Sequence, residues 1–213
     1  MLTNLDHTRP TLVALPPPGR FDSQLAAFET QSPPPRHYRL VLATTAFEPV
    51  NMTDRDGEVV MIIQRPNGYL LTSIKTFYPP DCQRLLTGGI HPDEQAIDAL
   101  LREIAEETSL ETRLERLLGT VAYFDDQGEH RFTSILFFLH ETGGTLHCAD
   151  PAEEVAAFGD VAIAALPDRA QALVRNSATW VGPRCEDWPA WGIHRAAVHW
   201  AAWECLTDAA PSC

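Results

Sequence analysis

Residues 88–110 read GGIHPDEQAIDALLREIAEETSL. Ile97, Leu100, Leu101, Ile104 and Thr108 recur at i, i+3, i+4 and i+7, which predicts a helix over 93–108 with one face toward a core. Pro92 suits a first helical turn, and Asp93 and Glu94 suit its positive end. Glu103, Glu106 and Glu107 share one side of that helix. At about 100° per residue their stripe lies beside the apolar one, at the edge of the core. Carboxylates at this spacing repel one another by roughly 0.2–0.5 kcal/mol per pair, and Arg102 alone does not neutralise them. A hard divalent cation such as Mg²⁺ would do so, through carboxylate oxygens. On the spacing alone, a solvated acidic face is the expected reading.

Upstream the texture is β. Residues 38–47, 58–64 and 69–77 are apolar or β-branched runs, and Asn67-Gly68 between the last two predicts a hairpin. A short strand over 85–87 leads into Gly88-Gly89. Downstream, strands are expected over 117–124, 132–140 and 155–165, and helices over 167–174 and 188–206. Strands in the middle with helices at intervals predict an α/β (α+β) sandwich with mixed strands.

With that context, residues 88–110 resemble the Nudix box, G-x5-E-x7-R-E-U-x-E-E-x-G-U, where U is bulky and apolar. Gly88, Glu94, Arg102, Glu103, Ile104, Glu106, Glu107 and Leu110 fall in register. Ser109 stands where the family has Gly, just past the helix, where a left-handed residue is common. The expected cost is about 1 kcal/mol and a shifted helix end. The resemblance implies a Nudix-type α/β/α sandwich with a mixed β-sheet. It also implies hydrolysis of a diphosphate linkage in a nucleoside diphosphate derivative, with Mg²⁺ or Mn²⁺. On that basis Glu103, Glu106 and Glu107 resemble metal ligands, joined by the backbone carbonyl of Thr87. Glu106 resembles either a ligand or the base that activates water, and Glu94 and Arg102 the pair that braces loop against helix. A carboxylate from beyond the box often assists in the family. Glu153 and Glu154 are the candidates, ahead of Glu129 and Asp126. Arg65 and Lys75, near the hairpin ends, are candidates for holding an outer phosphate. A catalytically weak Nudix-fold nucleotide-binding regulator, or a hydrolase of a non-nucleotide (for example prenyl) diphosphate, are the competing readings.

The remaining sequence sets limits. The chain has 213 residues, 45 % apolar and 21 % charged, enough for one domain with an appendage. Residues 1–36 form a proline-rich arm in which Phe21, Leu25 and Phe28 predict a short helix, and 37–213 the main domain. A net charge of −13 disfavours nucleic acid but not a small-molecule diphosphate substrate whose charge a metal offsets. No apolar run is long enough to span a membrane. Five cysteines without paired spacing read as reduced thiols, so the cytoplasm is the expected compartment. His194, His199 and Cys185 fit no standard zinc spacing. The tryptophans at 188, 191, 200 and 203 read as core packing or a dimer face, with a base-stacking platform as the sharper alternative. A homodimer is expected by analogy with relatives.

Overall fold

Val59-Val60-Met61-Ile62-Ile63 is apolar without a break, and such a strand is stable only when both of its faces are covered. The computed structural model, which describes residues 13–14, 21–42, 55, 57–182 and 187–207, covers both. The elements in chain order are β1 (Val13–Ala14), α1 (Phe21–Leu25), β2 (Arg36–Val41), β3 (Gly57–Gln64), β4 (Leu70–Lys75), β5 (Leu86–Gly89) and α2 (Ala96–Thr108). They continue with β6 (Leu110–Phe124), β7 (His130–Gly144), β8 (Val155–Val161), α3 (Leu166–Ser177) and α4 (Trp188–Thr207). The strands form one mixed sheet in the order β1-β2-β6-β7-β3-β4-β8, with β5 also paired to β3. The β2–β6 and β3–β7 pairs are parallel and the other pairs antiparallel.

Alternation along β3 divides the core. Val59, Met61 and Ile63 join Ala99, Leu100 and Ile104 of α2 on one face. Val60 and Ile62 join Ala197, Val198 and Ala201 of α4 on the other. Helix α3 packs outside α4, through Ala170 against Ala196 and Trp200. The arrangement is an α/β/α sandwich. Trp188, Trp191 and Trp200 are buried in it, the first two in edge-on contact beside Tyr78, so they serve packing.

The Asn67-Gly68 turn closes as the sequence predicts. Gly68 has φ +85°, and Asn67 Oδ1 accepts from the Tyr69 N–H at 3.1 Å. The ladder it starts holds a single register pair, Gln64 with Leu70. Beyond it the strands part, so that β5 takes the free stretch of β3 and β8 pairs with β4.

Several boundaries differ from expectation. The strand expected over 38–47 is β2, Arg36–Val41, and residues 43–50 lie outside those described. Helix α2 starts at Ala96 rather than 93, because the Glu94 carboxylate is held by the His91 N–H and by Arg102, which keeps 91–94 as a turn. Strands β6 and β7 run well past their apolar halves, as a solvated antiparallel pair whose polar alternation reads as loop. Strand β8 stops at Val161, and Ile163–Ala165 is a 3-10 turn.

Residues 21–31, assigned to the arm, are built into the α2 side of the sandwich. Phe21 and Leu25 are fully buried there. Gln24 Oε1 accepts from the Ala96 N–H at 2.8 Å, capping α2 where its own N-cap residue Gln95 makes no side-chain bond. Gln31 meets both backbone groups of Leu117, as a strand neighbour would. Phe21→Ala is therefore expected to lower the unfolding free energy by about 3 kcal/mol or more. Urea denaturation with an unchanged m-value would check this.

Candidate metal centre

The buried stripe of α2 comprises Ala96, Ala99, Leu100, Glu103, Ile104, Glu107 and Thr108. It is rotated from the face predicted by apolar residues alone. Leu101 is 59 % exposed, and two glutamates take core-facing positions. Gly88 on β5 makes room for one of them. A Cβ there would stand 2.0 Å from Glu103 Cδ, so only glycine lets the strand pass this close. Glu107 is fully buried, and neither of its oxygens accepts a hydrogen bond.

Glu153, on the turn before β8, completes the group. Oxygens of Glu103, Glu107 and Glu153 lie within 4.8 Å of one another. Among the described residues this is the one such acidic or thiol–imidazole cluster. Lys75, at the end of β4, enters it with Nζ 3.0 Å from Glu107 Oε1 and 2.5 Å from Glu153 Oε2. Burial pushes the Glu103 carboxyl up to about 7, and the neighbouring carboxylates of Glu107 and Glu153 add to the rise against Arg102. Burial also raises Glu107, although Lys75 and Arg84 oppose it. Burial works against ionising Glu153 too, but the Lys75 ammonium outweighs it and holds that carboxyl below the ordinary range.

Arg102 ties the loop to the helix. Its Nε and Nη2 donate to the two oxygens of Glu94 at 2.8 and 2.9 Å, and Nη2 also donates to the Gly89 carbonyl at 2.8 Å. Its Nη1 donates to Glu103 at 2.8 Å and to Glu106 at 3.0 Å. The Glu94 carboxyl is held low, first by the Arg102 hydrogen bond. Glu106 is the most exposed of the three box glutamates, with 36 % of its side chain open.

The helix end does not shift. Ser109 itself adopts the left-handed conformation, φ +54°, and its N–H reaches the carbonyls of Ile104 and Ala105. Arg65 lies apart, paired with Glu141 at 2.8 Å and Asp160 at 3.6 Å. Glu154 bonds through its backbone carbonyl to the Thr76 N–H, at 2.9 Å.

The sequence reading missed a second polar group, on the α4 side of the sheet. Glu58, on the same side of β3 as Val60 and Ile62, accepts from Arg195 Nη1 at 2.7 Å and lies 3.4 Å from His194 Nε2. Arg195 Nη1 and Arg84 Nη1 both donate to Thr87 Oγ1, at 3.2 and 3.0 Å. Arg84 also donates twice to Tyr78 OH. Against the burial that would raise it, Arg195 and His194 hold Glu58 well below the ordinary carboxylate range. His199 accepts from the Leu85 N–H through Nε2, while Nδ1 lies 2.7 Å from the Arg195 carbonyl. Burial depresses this imidazole to about 3, so it stays neutral. The signal available in the sequence was a charged residue at the head of an apolar strand, Glu58, with arginine and histidine on an apolar helix.

Residues 40–180 match the NUDIX domain, and the chain belongs to the Nudix family. It is similar to the ADP-ribose pyrophosphatase of Methanocaldococcus jannaschii, at 34 % identity over 97 residues. That stretch covers 46 % of this chain and 57 % of the relative, so the likeness spans little more than half of that protein. Among solved structures it resembles a MutT Nudix hydrolase from Burkholderia pseudomallei (28 % identity, 52 % of this chain and 84 % of that one, TM-score 0.40). It also resembles an ADP-ribose pyrophosphatase from Streptococcus suis (14 % identity, 73 % and 93 %, TM-score 0.43). No helix among the described residues is long and apolar enough to cross a membrane.

The Glu103 shift sets a pH dependence. Between pH 4.5 and about 7 the unfolded chain releases this proton and the folded chain keeps it, so metal-free stability falls as pH rises through that window. The expected loss is up to roughly 3 kcal/mol. Thermal unfolding in a chelator across that range would measure it, and Glu103→Gln should flatten the profile.

Proposed function

We propose that this chain is a metal-dependent pyrophosphohydrolase acting on a nucleoside diphosphate derivative, with Glu103, Glu107 and Glu153 holding Mg²⁺ or Mn²⁺. The single observation that carries the reading is the convergence of three carboxylates around Glu107, whose two oxygens are buried without a hydrogen bond. Hard oxygen donors of this kind suit Mg²⁺, which retains positions for substrate phosphate and water. When bound, the ion neutralises charge on the diphosphate and lowers the pKa of a bound water.

The chain's own residues supply the rest. Glu106, open to solvent, either joins the ligands or accepts the proton of the water that attacks phosphorus. The bridging P–O bond then breaks and two phosphate monoesters leave. Arg102 holds Glu103 and Glu106 in position and, through Glu94 and Gly89, fixes the loop over the helix. The Thr87 carbonyl is the proposed backbone ligand, on a strand whose side chain two arginines restrain. Lys75 is the proposed phosphate contact from within the centre, with Arg65 and Glu154 as outlying candidates. The free thiols of Cys82, Cys148 and Cys205 support a cytoplasmic setting. ADP-ribose is the first compound to test, because the Methanocaldococcus jannaschii relative carries that name.

Product release from ADP-ribose, dinucleoside polyphosphates, NADH, nucleotide sugars and a prenyl diphosphate, with Mg²⁺ or Mn²⁺, tests the reading. Turnover of a nucleotide compound, lost with a chelator and reduced roughly 100-fold or more in Glu107→Gln, is expected. Tight binding of a compound without turnover would indicate a regulator, and turnover of the prenyl compound alone a non-nucleotide hydrolase.

A further inference from the structure

Lys75 is the single lysine of the chain, against fifteen arginines, and it lies inside the carboxylate centre with 12 % of its side chain exposed. Two features hold it there. The β4–β8 ladder shifts register between Ile74 and Lys75, which re-aims the residue at the strand end. The Thr76 N–H donates to the Glu154 carbonyl, so the backbone beside Lys75 is tied to the turn that carries Glu153.

We propose that Lys75 is a tethered counter-ion: its ammonium neutralises Glu107 and Glu153 in the metal-free protein and leaves them when the divalent cation binds. The proposal rests on the metal-centre reading above and adds a regulation of that centre. A cation bonded to Glu153 Oε2 at about 2.1 Å would lie within about 5 Å of Nζ, because Nζ is itself 2.5 Å from that oxygen. Like charges at that separation, beside a fully buried carboxylate, repel strongly.

Glu107 has an ammonium 3.0 Å away, yet its oxygens make no hydrogen bond of good geometry. Charge more than directional bonding therefore links Lys75 to Glu107, and the hydrogen bond from Nζ to Glu153 Oε2 is the one contact an arriving cation has to displace. A compact ammonium on a flexible stem can swing away, whereas a guanidinium fork tends to lock onto a carboxylate. Arg102 on Glu94 shows the second behaviour in the same centre. The released ammonium, anchored at the end of β4, is then available to an anionic group of the substrate.

Mg²⁺ titration calorimetry on the intact chain, on Lys75→Met and on Glu107→Gln tests this, together with acetylation of the wild type by an amine-reactive reagent. Lys75→Met should bind Mg²⁺ about tenfold more tightly, melt lower than wild type in chelator and recover in Mg²⁺. Peptide mass spectrometry, which separates Lys75 from the terminal amine, should show faster acetylation of Lys75 once Mg²⁺ is added. If the wild type shows no saturable Mg²⁺ binding that Glu107→Gln removes, the metal-centre reading fails and this proposal with it. If binding requires Glu107 but Lys75→Met binds Mg²⁺ no more tightly, and Mg²⁺ leaves Lys75 acetylation unchanged or slower, the counter-ion role alone is overturned. Should Lys75→Met fail to fold, the wild-type acetylation rates decide.

Discussion

Placing two carboxylates on the core-facing stripe of a helix is the constraint that the rest of this structure accommodates. Isolated ionised carboxylates are costly to bury, so each needs a cation, a donor or a proton. Glu103 is given Arg102 and a β-strand that passes close enough only because Gly88 lacks a side chain. Glu107 is given the Lys75 ammonium at 3.0 Å, in an ion pair without a well-aligned hydrogen bond. Burial raises both carboxyls in spite of these cations. A centre of this kind is destabilising by itself. The apolar layers of β3, β7 and α2 and the docked Phe21 and Leu25 hold it in place.

The opposite face of the sheet solves a similar problem with fixed partners. Glu58 meets Arg195 and His194, and Arg195 shares Thr87 Oγ1 with Arg84. The Thr87 side chain gives α4 a grip on the strand that leads into Gly88, so a helix that contributes no carboxylate to the centre is connected to its floor. Neutral His199 does the same for Leu85, two residues earlier. Buried polar networks of this type are strongly destabilising when one member is removed, because the others are left unpaired. They hold a backbone segment in one position.

How far the site was legible follows from how local its signals are. Helix α2, its glutamates and the glycine before it lie within one short segment, where periodicity placed the helix and the match to the Nudix box, rather than spacing alone, singled out the glutamates. The Asn67-Gly68 turn and the apolar run of β3 were legible for the same reason. The rotation of α2 was not, because reading the core from apolar residues puts Leu101 inside and the glutamates only at the core's edge, whereas Leu101 is exposed and Glu103 and Glu107 are buried. The Glu58–Arg195 pair spans 137 residues and the Lys75–Glu153 pair 78, distances over which residue type carries no pairing information. The polar outer half of the β6–β7 pair was missed because its strands follow backbone pairing past the edge of the core rather than an apolar pattern.

Crystals grown with Mn²⁺ and measured for anomalous scattering would test the centre most directly. A difference peak is expected about 2.1–2.4 Å from oxygens of Glu103, Glu107 and Glu153, with the Lys75 ammonium withdrawn from Glu107. A map with no peak beside α2, and with Lys75 still paired to Glu107 and Glu153, would contradict it.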